Sequence, residues 1–228
     1  NCMDKAITKQ ILRYAGIPVA DGIIVTRGGA TVSAEQVGRE LGWPAFVKPA
    51  RMGSSVGVSK VKAAADLAAA IELAFRYDDK VLVERCMRGR EIECAVLGNG
   101  TPRASVPGEV VPRHEFYSYE AKYLDEHGAR LDAPANLPAD VARRVQDMAV
   151  RAFLAMGCSG MARVDFFLMA DGSLAVNELN TIPGFTRISM YPRLWQLTGL
   201  TYPQLVGELI RLADESHTSR GRLCTSFR

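Results

Sequence analysis

The sequence predicts an α+β fold built from two units that face one another, and three observations predict it. Periodic segments run helix, strand, helix, strand, turn, strand, helix, strand, and a second set of strands with its own helices follows. A glycine- and serine-rich turn, R-M-G-S-S-V-G-V over residues 51–58, follows a short apolar strand. Two further short strands, M-A-R-V-D-F-F-L and L-A-V-N-E-L-N, are joined by a tight A-D-G turn, so that Glu178 comes thirteen residues after Asp165.

In chain order, residues 4–16 carry Ile7, Ile11, Leu12 and Ala15 at helical spacing, and Gly16 supplies a stop. Residues 23–26 read as a strand. Ser33 caps a helix that runs to Leu41, with Glu35 and Gln36 in its first turn. Residues 45–49 form a short buried strand ended by Pro49, and residues 58–61 form another beyond the glycine-rich turn. The alanine-rich stretch 63–77 is helical, and 81–84 is a strand. Residues 91–97 alternate and open a second sheet, with Gly98-Asn99-Gly100 as a hairpin turn. Periodicity is lost from 108 to 138, a length that marks functional or disordered chain. Helix returns over 139–157 through Val141, Val145, Met148, Phe153 and Leu154. The hairpin follows, then a last helix over 201–213 and a polar tail from 216.

Composition excludes several classes. The 228 residues suit one large domain or two small ones, and 48% hydrophobic with 23% charged residues is ordinary for a globular protein. A net charge of +3, no basic runs and 7% aromatics argue against nucleic acid. No apolar run approaches the ~20 residues that span a bilayer. The first residues, Asn1-Cys2, lack the signature of a signal peptide and do not begin with methionine. The five cysteines form no C-x-x-C pair, so a zinc site and a disulfide framework are both unsupported. Free thiols in a reducing cytoplasm are expected, with Cys94 and Cys158 as core fillers.

The chemistry-bearing residues concentrate in the hairpin. Strand alternation puts Arg163 and Asp165 on one face, and Glu178 and Asn180 on one face of the partner strand. If those faces coincide, three oxygen donors and a guanidinium share a small volume. Two carboxylates and an amide suit Mg²⁺, with phosphate oxygens completing its shell. Arg163 would then stand where negative charge develops. A hairpin with a solvated polar face shows the same alternation. Phe166, Leu168, Leu174, Val176 and Leu179 supply a buried face under either reading.

The glycine-rich turn can nest phosphate oxygens with Lys48 adding charge, or serve only as a flexible loop. Glu84 and Glu91 fit ribose hydroxyls, although ion pairs with neighbouring arginines account for them as well. Residues 116–123, F-Y-S-Y-E-A-K-Y, resemble a lid. After the hairpin, the Gly184 N–H suits an oxyanion and Ser189 a substrate carboxylate; a turn glycine and a helix cap are the plain readings.

Taken together, Met3-Asp4-Lys5, F-V-K-P-A-R-M-G-S-S-V-G, V-L-V-E-R with G-R-E, F-Y-S-Y-E-A-K-Y, A-R-V-D-F-F and N-E-L-N-T-I-P-G-F-T with S-M-Y-P occur in the order seen in D-alanine–D-alanine ligases of the ATP-grasp superfamily. The resemblance runs from about Met3 to about Ala213. It implies an ATP-grasp central subdomain over 1–87 and a carboxy-terminal subdomain over 88–215 with a lid at 108–138, leaving 216–228 as a tail. It also implies ATP between the two subdomains, with Lys5 and Lys48 on its phosphates, Glu84 and Glu91 on its adenine–ribose side, and Phe116 and Phe167 as apolar walls. Asp165, Glu178 and Asn180 would hold two Mg²⁺ ions, or Mn²⁺ in their place.

The resemblance implies a reaction as well. ATP would phosphorylate the carboxylate of one D-alanine, and the amine of a second would attack the acylphosphate, making a peptidoglycan precursor. Arg163 and the Gly184 N–H would stabilise the tetrahedral intermediate, Lys122 the phosphoryl group, Ser54 and Tyr123 the closed lid. Ser189 and Met190 would seat the second amino acid. The family carries an amino-terminal domain ahead of Asp4, so a non-catalytic ATP-binding piece is the competing reading. A relative using D-lactate or D-serine is the other. A cytoplasmic enzyme acting on D-alanine and ATP, without nucleic acid or membrane, is expected, and a homodimer is left open.

Overall fold

The computed structural model describes residues 1–112 and 129–223. The expected lid residues Phe116, Lys122 and Tyr123 lie outside the described residues.

Helix α1 (Lys5–Tyr14) begins where Asp4 accepts hydrogen bonds from the Ala6 and Ile7 N–H groups at 3.0 and 3.1 Å, the usual satisfaction of a helix N-terminus. Its buried positions are Ala6, Thr8, Lys9 and Leu12 rather than the apolar stripe expected from Ile7, Ile11, Leu12 and Ala15. The reason is that α1 meets two partners. At its start Lys5 N donates to Ala50 O at 2.9 Å, and Lys80 Nζ reaches Asp4 at 2.7 Å. Further along, Leu12, followed by Ile17, enters the core under a different sheet.

The smaller sheet is antiparallel in the order β1-β4-β2-β3, formed by β1 (Gly22–Thr26), β2 (Ala45–Pro49), β3 (Ser59–Val61) and β4 (Lys80–Arg85). Val25, Val47, Val61, Val81 and Val83 pack under α2 (Ala34–Glu40) and α3 (Leu67–Phe75). Alternation turns Phe46, Lys48, Leu82 and Glu84 to the opposite face. Ser33 caps α2 as expected, accepting from Gln36 N at 3.1 Å.

The larger sheet runs β10-β9-β5-β7-β8, with β6 added beside β5, and its pairings are antiparallel. Its strands are β5 (Gly89–Gly98), β6 (Arg103–Ala104), β7 (Gly108–Pro112), β8 (Ala129–Asp132), β9 (Gly160–Met169) and β10 (Leu174–Asn180). One face, through Ile92, Cys94, Val96, Val164 and Phe166, packs on α1 and on α4 (Ala139–Ala155). Truncating a core ring such as Phe166 to alanine costs about 3–5 kcal/mol. The far end of the other face, at Ala95 and Leu97, is covered by α5 (Met190–Leu197) and α6 (Tyr202–Gly221) through Tyr191, Leu194, Trp195 and Leu205. The near end of that face stays open.

Several expectations are corrected here. Residues 108–138 are not uniformly irregular: β7 and β8 pair from Glu109↔Asp132 to Pro112↔Ala129. Their alternation is hidden because charged residues sit in the sheet as ion pairs, Arg90 with Glu109 and Arg130 with Asp132. The polar tail expected from 216 is helical to Gly221, where Arg211 bridges Glu208 and Glu215 one turn either side at 2.8 and 2.9 Å. In α4 the buried positions are Val145, Ala149, Ala152 and Phe153, and Leu154 is exposed, because alanines take two of the core places.

Candidate active site

A cavity of about 340 Å³ lies between the open faces of the two sheets. Phe46, Lys48 and Glu84 line it from the smaller sheet, and Glu91, Phe167 and Glu178 from the larger. Ser54 and Ser55 of the glycine-rich turn close one side, both with positive φ (55° and 59°), a conformation uncommon outside glycine. Residues 85–89, the link between the sheets, close another.

The hairpin delivers its polar residues to this face by way of an irregularity. In β9 alternation is strict: Ala162, Val164, Phe166 and Leu168 are buried, while Arg163, Asp165 and Phe167 face the cleft. In β10, Leu174 and Val176 are buried, but so is Leu179, which has the opposite parity. A bulge at Asn177 takes up the extra residue and flips every later side chain. Glu178 therefore lands opposite Asp165, and Asn180 opposite Arg163.

On the other side of β9, β5 sets Glu93 opposite Asp165 and Glu91 opposite Phe167. Glu93, Asp165 and Glu178 thus form a row of carboxylates across three strands, which unaided would repel. Arg163 offsets it, with Nε and Nη2 donating to the two Asp165 oxygens at 2.7 and 2.8 Å and Nε 3.3 Å from Glu93. Burial opposes the charge of Arg163, but Asp165 and Glu93 outweigh it and hold the guanidinium well above its ordinary range. Asn180 Nδ2 donates to Asp165 at 3.0 Å and to Glu178 at 3.5 Å. The four expected residues therefore converge.

A second charged group lies across the cleft. Glu84 is 3% exposed and held between Lys9, at 2.8 Å, and Lys48. Burial alone would raise its carboxyl, yet the two ammonium groups hold it below the usual range. Burial pulls Lys9 down, and Glu84 only partly restores it. Lys9 also donates to Asn177 O at 3.2 Å, so it ties the small-sheet cluster to the bulge that sets the hairpin. Lys5 donates to Met52 O at 2.6 Å and lies 3.7 Å from Glu178. Burial, the largest influence on it, lowers Lys5.

Glu84 is paired with lysines rather than with the neighbouring arginines expected, and it also lines the cavity. Gly184 and Ser189 are adjacent: a Cβ on Gly184 would lie 3.1 Å from Ser189 Oγ. Ser189 accepts from Thr186 N at 3.1 Å. It stands at the N-cap position of α5 without a capping hydrogen bond. The Met190 side chain is buried at 4% in the core with Tyr191 and Leu194.

Three residues went unread. Lys9 follows Lys5 by one helical turn, and that spacing was its only signal. Glu93 shares its strand face with Glu91, so alternation pointed to it. Asn177 was hidden because a bulge is legible only as the parity change between Val176 and Leu179.

The donor set can be tested against a metal. Among the described residues no group of three or more His, Cys, Asp or Glu side chains is placed to hold an ion by itself. Two carboxylates and an amide fit a hard divalent cation only where ligand oxygens fill the remaining positions, and the cleft in front of Glu178 leaves room for them.

Two facing antiparallel sheets with such a cleft between them define an ATP-grasp protein, and solved structures similar to it are ligases. A family model described as D-ala D-ala ligase C-terminus matches residues 11–211, and the chain belongs to that family. A D-alanine–D-alanine ligase A of Chromobacterium violaceum is 57% identical over 94% of the chain. The solved D-alanine-D-alanine ligase of Coxiella burnetii superposes with a TM-score of 0.86 at 43% identity over 97% of the chain. The VanG D-Ala:D-Ser ligase of Enterococcus faecalis gives 0.85 at 38% identity over 92%. The chain spans about three-fifths of each of these relatives, 59%, 59% and 61% of their lengths in turn.

Proposed function

We propose that the protein carrying this chain is an ATP-dependent ligase that joins two D-alanines through an acylphosphate for peptidoglycan synthesis. One observation carries this reading: the bulged hairpin sets Arg163, Asp165, Glu178 and Asn180 together at the cleft between the sheets. Asp165, Glu178 and Asn180 would hold Mg²⁺, which supplies charge neutralisation for phosphate oxygens. Phosphoryl transfer asks mainly for alignment and charge compensation, so a site of cations and carboxylates suits it.

In this reading Lys5 and Lys48 face the phosphates, Glu91 takes ribose hydroxyls and Phe167 packs on adenine. Glu84 acts indirectly, by fixing Lys48 and Lys9. Ser54 closes on the nucleotide from the glycine-rich turn. Arg163 lies beside the reacting carboxyl carbon, and its fixed charge together with the Gly184 N–H meets the oxyanion formed on amine attack. Ser189 orients the second amino acid.

The test is dipeptide formation by a protein of full family length. ADP and phosphate release that requires D-alanine is expected, and ATP turnover indifferent to D-alanine contradicts the reading. A D-serine acceptor is the second reading, favoured by the similarity to the VanG enzyme. The higher identity to the D-alanine enzyme, 57% against 38%, supports D-alanine. An acceptor screen with D-alanine, D-serine and D-lactate decides it.

A further inference from the structure

Cys2 and Cys158 are separated by 156 positions in sequence, yet their sulfurs lie 3.7 Å apart. Both are half-buried free thiols at the edge of the larger core. Cys2 sits in the turn that precedes α1, where Asn1 O accepts from Thr8 Oγ1 at 3.0 Å and from Asp4 N at 3.2 Å. Cys158 sits in the short connection from α4 to β9. A disulfide needs the sulfurs about 2.0 Å apart, so a closing movement of under 2 Å suffices.

We propose that Cys2 and Cys158 are a reversible oxidation site, forming an intramolecular disulfide by exchange with a small-molecule disulfide. Among the described residues, the other two cysteines differ in kind. Cys94 is fully buried, and burial drives its thiol up to about 12. Cys86 lies on the cleft, with no thiol beside it among the described residues. Cys2 is the attacking group, because the hydrogen bond from Cys158 lowers its thiol and stabilises the thiolate.

The exchange proceeds in two steps. The Cys2 thiolate attacks one sulfur of the small disulfide; that S–S bond breaks, a mixed disulfide forms, and one small thiol leaves with the proton lost by Cys2. Cys158 then attacks the Cys2 sulfur, and the second small thiol leaves with the Cys158 proton. Two protein thiols are oxidised and one small disulfide is reduced to two thiols. The product ties the turn before α1, the helix that carries Lys5 and Lys9, to the chain entering β9, the strand that carries Arg163 and Asp165. It restricts the unfolded chain without rebuilding the site.

The test is incubation with oxidised glutathione, alkylation of remaining thiols, and peptide mapping, run beside thermal melting. A Cys2–Cys158 cross-linked peptide is expected, with Cys86 and Cys94 alkylated or protected as in the reduced protein. Oxidation should raise the melting temperature by several degrees, and dithiothreitol should reverse the rise. C158S should stop at a glutathione adduct on Cys2 with no rise in melting temperature. C2S and C2A should give neither cross-link nor adduct at Cys158. Failure of the cross-link to form in the parent protein, or adducts spread evenly over Cys86 and Cys2 in C158S, overturns the proposal.

Discussion

The two charged clusters on either side of the cleft contain similar groups and do different work. Glu84 is enclosed by Lys9 and Lys48 and is almost wholly buried, so its charge is spent inside the protein. Asp165, Glu178 and Asn180 are each partly exposed, and Arg163 and Lys5 are the cations beside the row of three carboxylates there. The first cluster sets two ammonium groups around one enclosed carboxylate and fixes positions. The second sets three carboxylates beside Arg163 and Lys5, with Glu178 on the cavity wall, where a divalent cation would meet it. The difference teaches that burial, rather than residue type, separates the scaffold of a site from its chemistry.

Removing Glu84 should break this contrast most severely. Glu84→Ala leaves two buried lysines without their shared partner, and loss of one member of such a group costs about 3–5 kcal/mol. Urea unfolding measures it; a change below about 1 kcal/mol would show that the cluster is not enclosed as described. On the cleft side, Glu178→Gln should leave the unfolding midpoint nearly unchanged and lower D-alanine-dependent phosphate release by about a hundredfold or more. Equal losses of stability and turnover would erase the distinction between the clusters.

Lys9→Met keeps the helix and leaves Glu84 its bond to Lys48. It should cost about 1–3 kcal/mol of stability. Its second readout is the bulge: the hydrogen bond to Asn177 O is lost, so the amide signals of Asn177 and Glu178 should move. Acid supplies a gentler probe. Asp4, Glu84 and Asp78 are held below their ordinary values, Asp78 from 3.8 to about 2, where burial is outweighed by its bonds from Arg51 and the Lys80 N–H. A carboxyl lowered in the folded state contributes stability fully present above its unfolded value, and that stability is lost as pH falls through the folded value. Stability should therefore decline from about pH 4 toward pH 2. Hydrogen exchange should show the smaller sheet opening first, because these three groups belong to it or clamp α1 to it.

Much of this was legible from the amino-acid order. Alternation in M-A-R-V-D-F-F-L placed Arg163 and Asp165 together, and the serine cap before α2 and the strand ending at Pro49 followed from local chemistry. What stayed hidden depended on partners distant in sequence. Lys9 looks like a solvent-facing helix residue until Glu84 is brought beside it. The β7–β8 pair carries glutamate, arginine and aspartate in a sheet because Arg90 and Asp132 complete the ion pairs. The burial of the Met190 side chain shows only once the helix that begins there is packed on the larger sheet.

The central claim is that the hairpin couples a divalent cation to a nucleotide in the cleft. Calorimetric titration of ATP into the chain, with Mg²⁺ and again with chelator, tests it most directly, with Glu178→Gln alongside. Binding at least about tenfold tighter with Mg²⁺, and no such gain in Glu178→Gln, is the result this account predicts. Equal affinity with and without Mg²⁺, or a gain that survives in Glu178→Gln, would contradict it.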